Sequence, residues 1–113
     1  MNYILRKSKI DDSALESVLS SGLSKGAKLL YAYLFKLRSG EVVNNQTIIK
    51  NNIVVSRAMV GNYKRELKKH GLIHENKDKT SNIRFIYLGS LSIPADVFAE
   101  DWKYEIVDDD NND

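Results

Sequence analysis

The sequence has 113 residues, 42% of them hydrophobic and 28% charged, which predicts one soluble domain with a modest core and leaves little room for a second. Its lack of cysteine excludes disulfides and cysteine–zinc sites; its two histidines and short apolar runs further predict a cytoplasmic protein with no metal, no cofactor and no membrane association. The net charge of +2 conceals a separation, because residues 96–113 hold eight acids and one lysine, and the remaining 16 basic against 7 acidic residues favour a polyanionic partner.

The predicted elements begin with an ambiguous segment. Residues 1–10 mix apolar and basic side chains, so a short strand and an arm both remain open. Ser13 followed by Glu16 is a capping-box pattern, which predicts a short helix over about residues 13–20 that ends before Gly22.

A longer central helix is predicted from Ser24, its expected N-cap, to Ser39 and Gly40. Its core stripe consists of Ala27, Leu30, Tyr31, Leu34 and Leu37. Leu29 and Tyr33 lie on a second flank. Either the N-terminal helix covers that flank, or the flank is the seam of a homodimer formed through the N-terminal and central helices, and both interpretations remain open.

A helix-turn-helix is predicted over about residues 44–70. It comprises a short helix from Asn44, a turn at residues 53–55 and a second helix that Ser56 caps and Gly71 ends. Both of its helices begin at residues whose side chains accept hydrogen bonds from the free amides of a first turn.

The second helix of this motif is predicted to have two different sides. At about 100° per residue, its inner stripe consists of Val60, Tyr63 and Leu67. Its outer face consists of Ala58, Gly61, Asn62, Arg65 and Lys69. Lys64 falls beside the inner stripe, and we expect its stem to follow the edge of the core with its charge in water.

A β-hairpin is predicted over about residues 72–88, with a polar turn-rich loop near its middle. Lys77, Lys79 and Arg84 make it basic. Beyond the hairpin, Ser92 and Pro94 predict the start of a brief helix that runs through Phe98.

The end of the domain is predicted near residue 104. Trp102 and Tyr104 are the expected anchors of this end onto the body, so that residues 1–104 form a single domain. Residues 105–113 are rich in acids and are expected to form an acidic disordered tail.

The order of these elements is that of a winged helix-turn-helix domain, and the match covers about residues 24–88. The start of the central helix resembles the winged-helix domains of plasmid replication initiators and of small plasmid or phage DNA-binding regulators, through Leu23, Ser24, Ala27, Lys28, Leu29, Leu30 and Tyr31. The resemblance implies an α+β fold, mainly α with a β-hairpin. It also implies sequence-specific binding of double-stranded DNA in transcription regulation, replication, partition or transfer.

Base contacts are expected from the outer face of the second helix of the motif, which would enter the major groove. Arg65 suits guanine, Asn62 suits adenine, and Ala58 suits a thymine methyl group. For Gly61 two interpretations remain open: it lets the helix approach a base or the DNA backbone closely, or it is simply tolerated or allows close packing on the preceding helix.

Phosphate contacts fix the register of such a domain without reading sequence. On the helix they are expected from Ser56, Arg57, Lys68 and Lys69, helped by the free amides and the dipole at the helix start. On the wing they are expected from Lys77, Lys79 and Arg84, at the adjacent minor groove or backbone.

The chain is not expected to be an enzyme, because the spacing of Glu66 and Lys68 found in some nucleases lacks a partner carboxylate here. The alternative function is a winged-helix module that docks onto proteins without binding specific DNA. The acidic tail either recruits a protein partner, shields the basic face or keeps the chain soluble.

Overall fold

The computed structural model describes residues 2–7, 11–51, 56–78 and 80–100, and it has the expected α+β class. The elements in chain order are β1 (Tyr3–Lys7), α1 (Asp12–Leu19), α2 (Lys25–Lys36), β2 (Val42–Val43), α3 (Asn45–Lys50), α4 (Arg57–Lys69), β3 (Ile73–Lys77) and β4 (Arg84–Leu88). Residues 95–100 are also helical. The predicted turn at residues 53–55, Lys79, the anchors Trp102 and Tyr104, and the acidic tail lie outside the described residues.

The first described residues form a central strand of the sheet. The strand order is β2–β1–β4–β3, in which β1 runs antiparallel to β2 and parallel to β4. Leu5 of β1 lies opposite Ile86 of β4, and both are fully buried. Of the two possibilities that the sequence left open, a strand is therefore correct and an arm is wrong.

Each face of the sheet packs against helices. Alternate residues of the strands enter the main core with the helices α1 to α4, among them Leu5, Val43, Ile86 and Leu88. On the other face Tyr87 packs against Ala95 and Ala99, and its ring meets Phe98 edge to face with the centroids 6.1 Å apart. The helical residues 95–100 thus form a third layer behind the sheet.

The start of α1 differs from the prediction. Asp11, not Ser13, is the N-cap, since its carboxylate accepts a hydrogen bond from the Ser13 N–H at 3.0 Å. Asp11 has an extended backbone with φ −103° and ψ −176°, which is the conformation of an N-cap residue. Ser13 therefore lies inside the first turn, and the helix covers Asp12–Leu19 instead of residues 13–20.

The central helix α2 begins as predicted and ends earlier. The Ser24 hydroxyl accepts a hydrogen bond from the Ala27 N–H at 3.2 Å. At the other end Leu37 turns to an extended conformation with ψ 155°, so the helix stops at Lys36 and not at Ser39 and Gly40. The Lys7 ammonium donates to the Phe35 carbonyl at 2.8 Å, which satisfies one of the last carbonyls of the helix.

The core stripe of α2 is confirmed, because Ala27, Leu30, Tyr31 and Leu34 are buried and Leu37 packs against the core at its edge. On the second flank Leu29 stays 46% exposed and Tyr33 is half-buried. The helix α1 packs against α2 without closing that flank completely. The homodimer seam at Leu29 and Tyr33 remains a prediction.

A buried hydroxyl ties α2 to the end of the sheet. Tyr31 donates to the Gly89 carbonyl at 2.7 Å, and burial raises the pKa of its phenol to about 12.

Tyr31→Phe removes the donor and is expected to lower the free energy of unfolding by about 1–2 kcal/mol. Urea denaturation measures this change. Tyr33→Phe is the control, since the Tyr33 hydroxyl bonds to no described residue, and equal losses in the two variants would contradict the role given to Tyr31.

Candidate nucleic-acid interface

The helix α4 is fixed at both ends. The Ser56 hydroxyl accepts a hydrogen bond from the Met59 N–H at 3.3 Å, and Gly71, with φ +72°, follows the helix in the left-handed conformation, as predicted. Near the end of the helix, Glu66 accepts from the backbone N–H and the hydroxyl of Ser24 at 2.7 and 2.6 Å. This carboxylate joins α4 to the start of α2.

The buried side of α4 sets the rotation of the helix about its axis. Val60 and Leu67 are fully buried, and Tyr63 is half-buried against the core. The Tyr63 ring lies directly on Gly26 of α2, where an added Cβ would come within 2.1 Å of a ring carbon. The predicted inner stripe is confirmed, and the absence of a side chain at Gly26 is what allows the ring to lie there.

The opposite side of α4 is open and carries no acid. Its exposed residues are Arg57, Ala58, Asn62, Arg65 and Lys69. Among the residues that the structure describes, none of the three basic ones forms an ion pair. Of the residues that the spacing placed on an outer face, Ala58, Asn62, Arg65 and Lys69 are therefore exposed, and Gly61 is partly exposed.

Two details of this face bear on what it can recognise. Arg65 donates a hydrogen bond from its guanidinium to the amide oxygen of Asn62. Apart from the two adjoining residues and the backbone of α4 itself, no atom of the described residues would lie within 4 Å of a Cβ added at Gly61. The interpretation that Gly61 allows close packing on a neighbouring helix is therefore wrong for the part of the chain that the structure describes.

The sequence suggested that Lys64 holds its charge in water, and this prediction is wrong. Its ammonium pairs with the Glu75 carboxylate of β3 at 3.0 Å and lies 4.8 Å from the centre of the Tyr3 ring. The side chain is only 12% exposed. A lysine beside the inner stripe is thus accommodated by an acid and an aromatic ring from the sheet.

Lys68 shares the same carboxylate. Its ammonium forms an ion pair with the second oxygen of Glu75, and its side chain remains 42% exposed. The sequence predicted phosphate contacts from Lys68 and Lys69 alike. In the structure both lysines 64 and 68 pair with one acid, so the group of Lys64, Lys68 and Glu75 carries a net charge of +1.

Burial raises the pKa of the Glu75 carboxyl, but hydrogen bonds from Lys68 and Lys64, with the positive charges of both lysines, outweigh burial and leave that pKa below its ordinary value. Sequence reasoning missed this group, although Glu75 is one of only three acids among residues 57–84. Its isolation among basic residues was the signal that could have identified it.

The hairpin places two more predicted residues beside this cluster. Lys77 and Arg84 are paired in the ladder between β3 and β4. Lys77 is two residues from Glu75 on β3, and Arg84 is its partner on β4. Both therefore lie on the same face of the sheet as Glu75, which is the face that α4 covers. The loop at the tip closes with the Asp78 N–H donating to the Ile83 carbonyl at 2.7 Å.

Glu66 and Lys68, whose spacing is found in some nucleases, each contact another side chain. Glu66 is engaged by Ser24, and Lys68 is engaged by Glu75. Within the described ranges, no three histidine or acidic side chains are placed to hold a metal ion. In the same ranges, no helix has the length and apolar character needed to span a membrane.

Glu75→Gln keeps the shape of the side chain and removes its charge. With two lysines left uncompensated, one of them largely buried, the free energy of unfolding at neutral pH is expected to fall by about 1–3 kcal/mol. The pKa of Glu75 is lower in the folded protein than its ordinary value of 4.5. The stability that the charged carboxylate contributes is therefore fully present above pH 4.5 and is lost as the pH falls through the folded-state pKa.

Urea denaturation of the wild type and of Glu75→Gln across this acidic range tests the effect. The difference between them should shrink as the pH falls, and a difference independent of pH would contradict the ion-pair account. Glu16→Gln, at an exposed position on α1, is the matched control and should show little difference at any pH.

Comparison with known proteins finds no relative: no protein-family model, no curated protein and no solved structure matches the chain.

Proposed function

We propose that the chain is a winged helix-turn-helix domain that binds double-stranded DNA in a sequence-specific manner, with α4 in the major groove and the β3–β4 hairpin as the wing. The open, acid-free outer side of α4 carries this proposal. The major groove of B-DNA is about 12 Å wide and admits an α-helix. A helix anchored on its other side by Val60, Leu67 and the Glu66–Ser24 contact can present its outer residues there as a rigid unit.

The order of the elements supports the same proposal. The short helix α3 precedes α4 as the first helix of a helix-turn-helix, and Asn44 caps it with a hydrogen bond from the Thr47 N–H at 2.8 Å. The hairpin follows α4 after only a short connection. The strand β1 is an addition to this pattern, because it stands between β2 and the hairpin.

The proposed contacts divide into two kinds. Base edges would be contacted from Ala58, Gly61, Asn62 and Arg65. Phosphates would be contacted from Ser56, Arg57, Lys68 and Lys69 on the helix and from Lys77, Lys79 and Arg84 on the wing. Of the phosphate contacts on the helix, Lys68 is the weakest, because Glu75 already neutralises part of its charge.

The biological setting that we propose is a plasmid- or phage-type transcriptional regulator, or an accessory in replication, partition or transfer. All of these would use the same helix in the same groove. A homodimer through Leu29 and Tyr33, and a protein partner for the acidic tail, are part of this proposal.

A protein-docking module is the second candidate. Leu91, Ile93 and Val97 lie close together in sequence, and each is about half exposed. Leu91 and Ile93 also line a groove of about 660 Å³ against α1. Titration of labelled duplexes with the full chain at two salt concentrations separates the candidates, because no binding even at low salt would favour docking over DNA recognition.

Replacing Arg57 and Lys69 together by alanine should weaken binding to specific and random duplexes alike. The slope of log affinity against log salt should become shallower by roughly 2, since each phosphate contact contributes about 0.9. The matched control replaces Lys25 and Lys36, which are exposed on α2 opposite its buried stripe. An equal change of slope in the control would attribute the effect to overall charge and not to this face.

Gly61→Ala should move stability and binding in opposite directions. A glycine inside an exposed helix costs roughly 1 kcal/mol relative to alanine, so the variant should be more stable by up to about that amount. The added methyl group points into the space that DNA would occupy, so specific affinity should fall. Urea denaturation and duplex titration measure the two effects, and a gain in stability with unchanged affinity would contradict a close approach at Gly61.

A further inference from the structure

Asn62 and Arg65 form one unit on the outer side of α4. They are three residues apart on the helix and both are exposed, and the Arg65 guanidinium donates to the Asn62 amide oxygen. Arginine has no hydrogen-bond acceptor, so the amide oxygen must face it and the amide nitrogen must face elsewhere. The orientation of the Asn62 amide is therefore set by Arg65.

This contact competes with the role that the sequence suggested for Asn62. Recognition of adenine by asparagine uses the amide oxygen to accept from N6 and the amide nitrogen to donate to N7. Here the oxygen already accepts from Arg65. Arg65, in contrast, keeps its other N–H groups, and two of them in parallel match the O6 and N7 acceptors of guanine.

Asn62 restrains Arg65 without neutralising it. Among the described residues no acid pairs with Arg65, since the carboxylate of its neighbour Glu66 is turned to Ser24 at the start of α2. A long exposed side chain loses rotamer entropy when it binds, and a restraint that already exists in the free protein reduces that loss. A neutral acceptor gives this restraint and leaves the full charge for DNA.

Gly61 gives the pair access to a base edge. It lies next to Asn62 in the helix, and apart from the adjoining residues and the backbone of α4, no atom of the described residues lies within 4 Å of where its Cβ would be. The helix therefore has no side chain between its backbone and the groove at this point. A base pair can approach the guanidinium without displacing a neighbouring group.

Resting on the proposed DNA-binding function, we propose that Asn62 and Arg65 read a single guanine in the major groove as one unit. Arg65 donates to guanine O6 and N7, and Asn62 is a positioning residue that orients Arg65. The recognised site therefore contains a G·C pair that depends on both residues, and it contains no adenine that depends on Asn62 alone.

The test begins with selection of bound duplexes from a randomised library by the full chain. Affinities are then measured for a selected duplex and for all its single base-pair changes, with the wild type, Asn62→Ala, Arg65→Ala and the double variant. Both single variants should lose discrimination at the same G·C pair, with a loss on the order of tenfold for Arg65→Ala. The double variant should lose no more than Arg65→Ala alone. Relaxation of a different base pair by Asn62→Ala, with losses that multiply in the double variant, would overturn the proposal.

A modified base and a conservative variant test the positioning role directly. Replacing the guanine by 7-deazaguanine removes the N7 acceptor, so it should weaken binding of the wild type and leave that of Arg65→Ala unchanged. Asn62→Asp retains an acceptor for Arg65 and should keep the preference for guanine while lowering affinity for all duplexes. A switch of Asn62→Asp to a preference for cytosine at that position would overturn the positioning role.

Two results separate this inference from the proposed function. If the wild type binds selected duplexes but shows no guanine dependence at the position that Arg65 controls, only this inference fails. If it binds no duplex even at low salt, both fail. Thermal unfolding of each variant serves as the control for folding, and because Asn62 and Arg65 are exposed, the melting temperatures should stay close to that of the wild type.

Discussion

The rotation of α4 about its axis is the constraint on which the rest of the structure depends. Three contacts fix it: the burial of Val60 and Leu67, the Tyr63 ring on Gly26, and the Glu66 carboxylate on the start of α2. Since residues on a helix are about 100° apart, turning α4 by two positions would bury its basic outer side chains and expose its apolar ones. The composition of the outer face is thus a consequence of packing on the inner one.

The parts of the fold that depend on neighbours in sequence were predictable. Ser24, Asn44 and Ser56 cap helices because each accepts from an amide only three residues away, and the buried stripes of α2 and α4 follow from helical spacing. The position of β1 was not predictable, because the partners that make it a central strand lie at residues 42–43 and 85–88. Its mixture of apolar and basic side chains is equally compatible with an arm until those partners are known.

In the candidate interface, too, the features that depend on sequence neighbours were predictable and those that depend on distant partners were not. Helical spacing was enough to place Asn62, Arg65 and Lys69 outside. The pairing of Lys64 and Lys68 with Glu75, in contrast, joins two elements and depends on how α4 meets the hairpin. A count of basic residues treats every lysine as equal. The structure distinguishes lysines that are held by an acid from those, such as Lys69, that form no ion pair within the described residues.

The place of β1 in the sheet has a consequence for how the chain folds as it is synthesised. Two-residue β2 is the first partner available to β1, and the long parallel pairing with β4 must wait until residues 85–88 have been made. For most of synthesis, one edge of β1 therefore exposes free backbone groups that can pair with another chain. Arg6 and Lys7 place positive charge on that strand, and charged side chains are a common means by which proteins discourage such pairing.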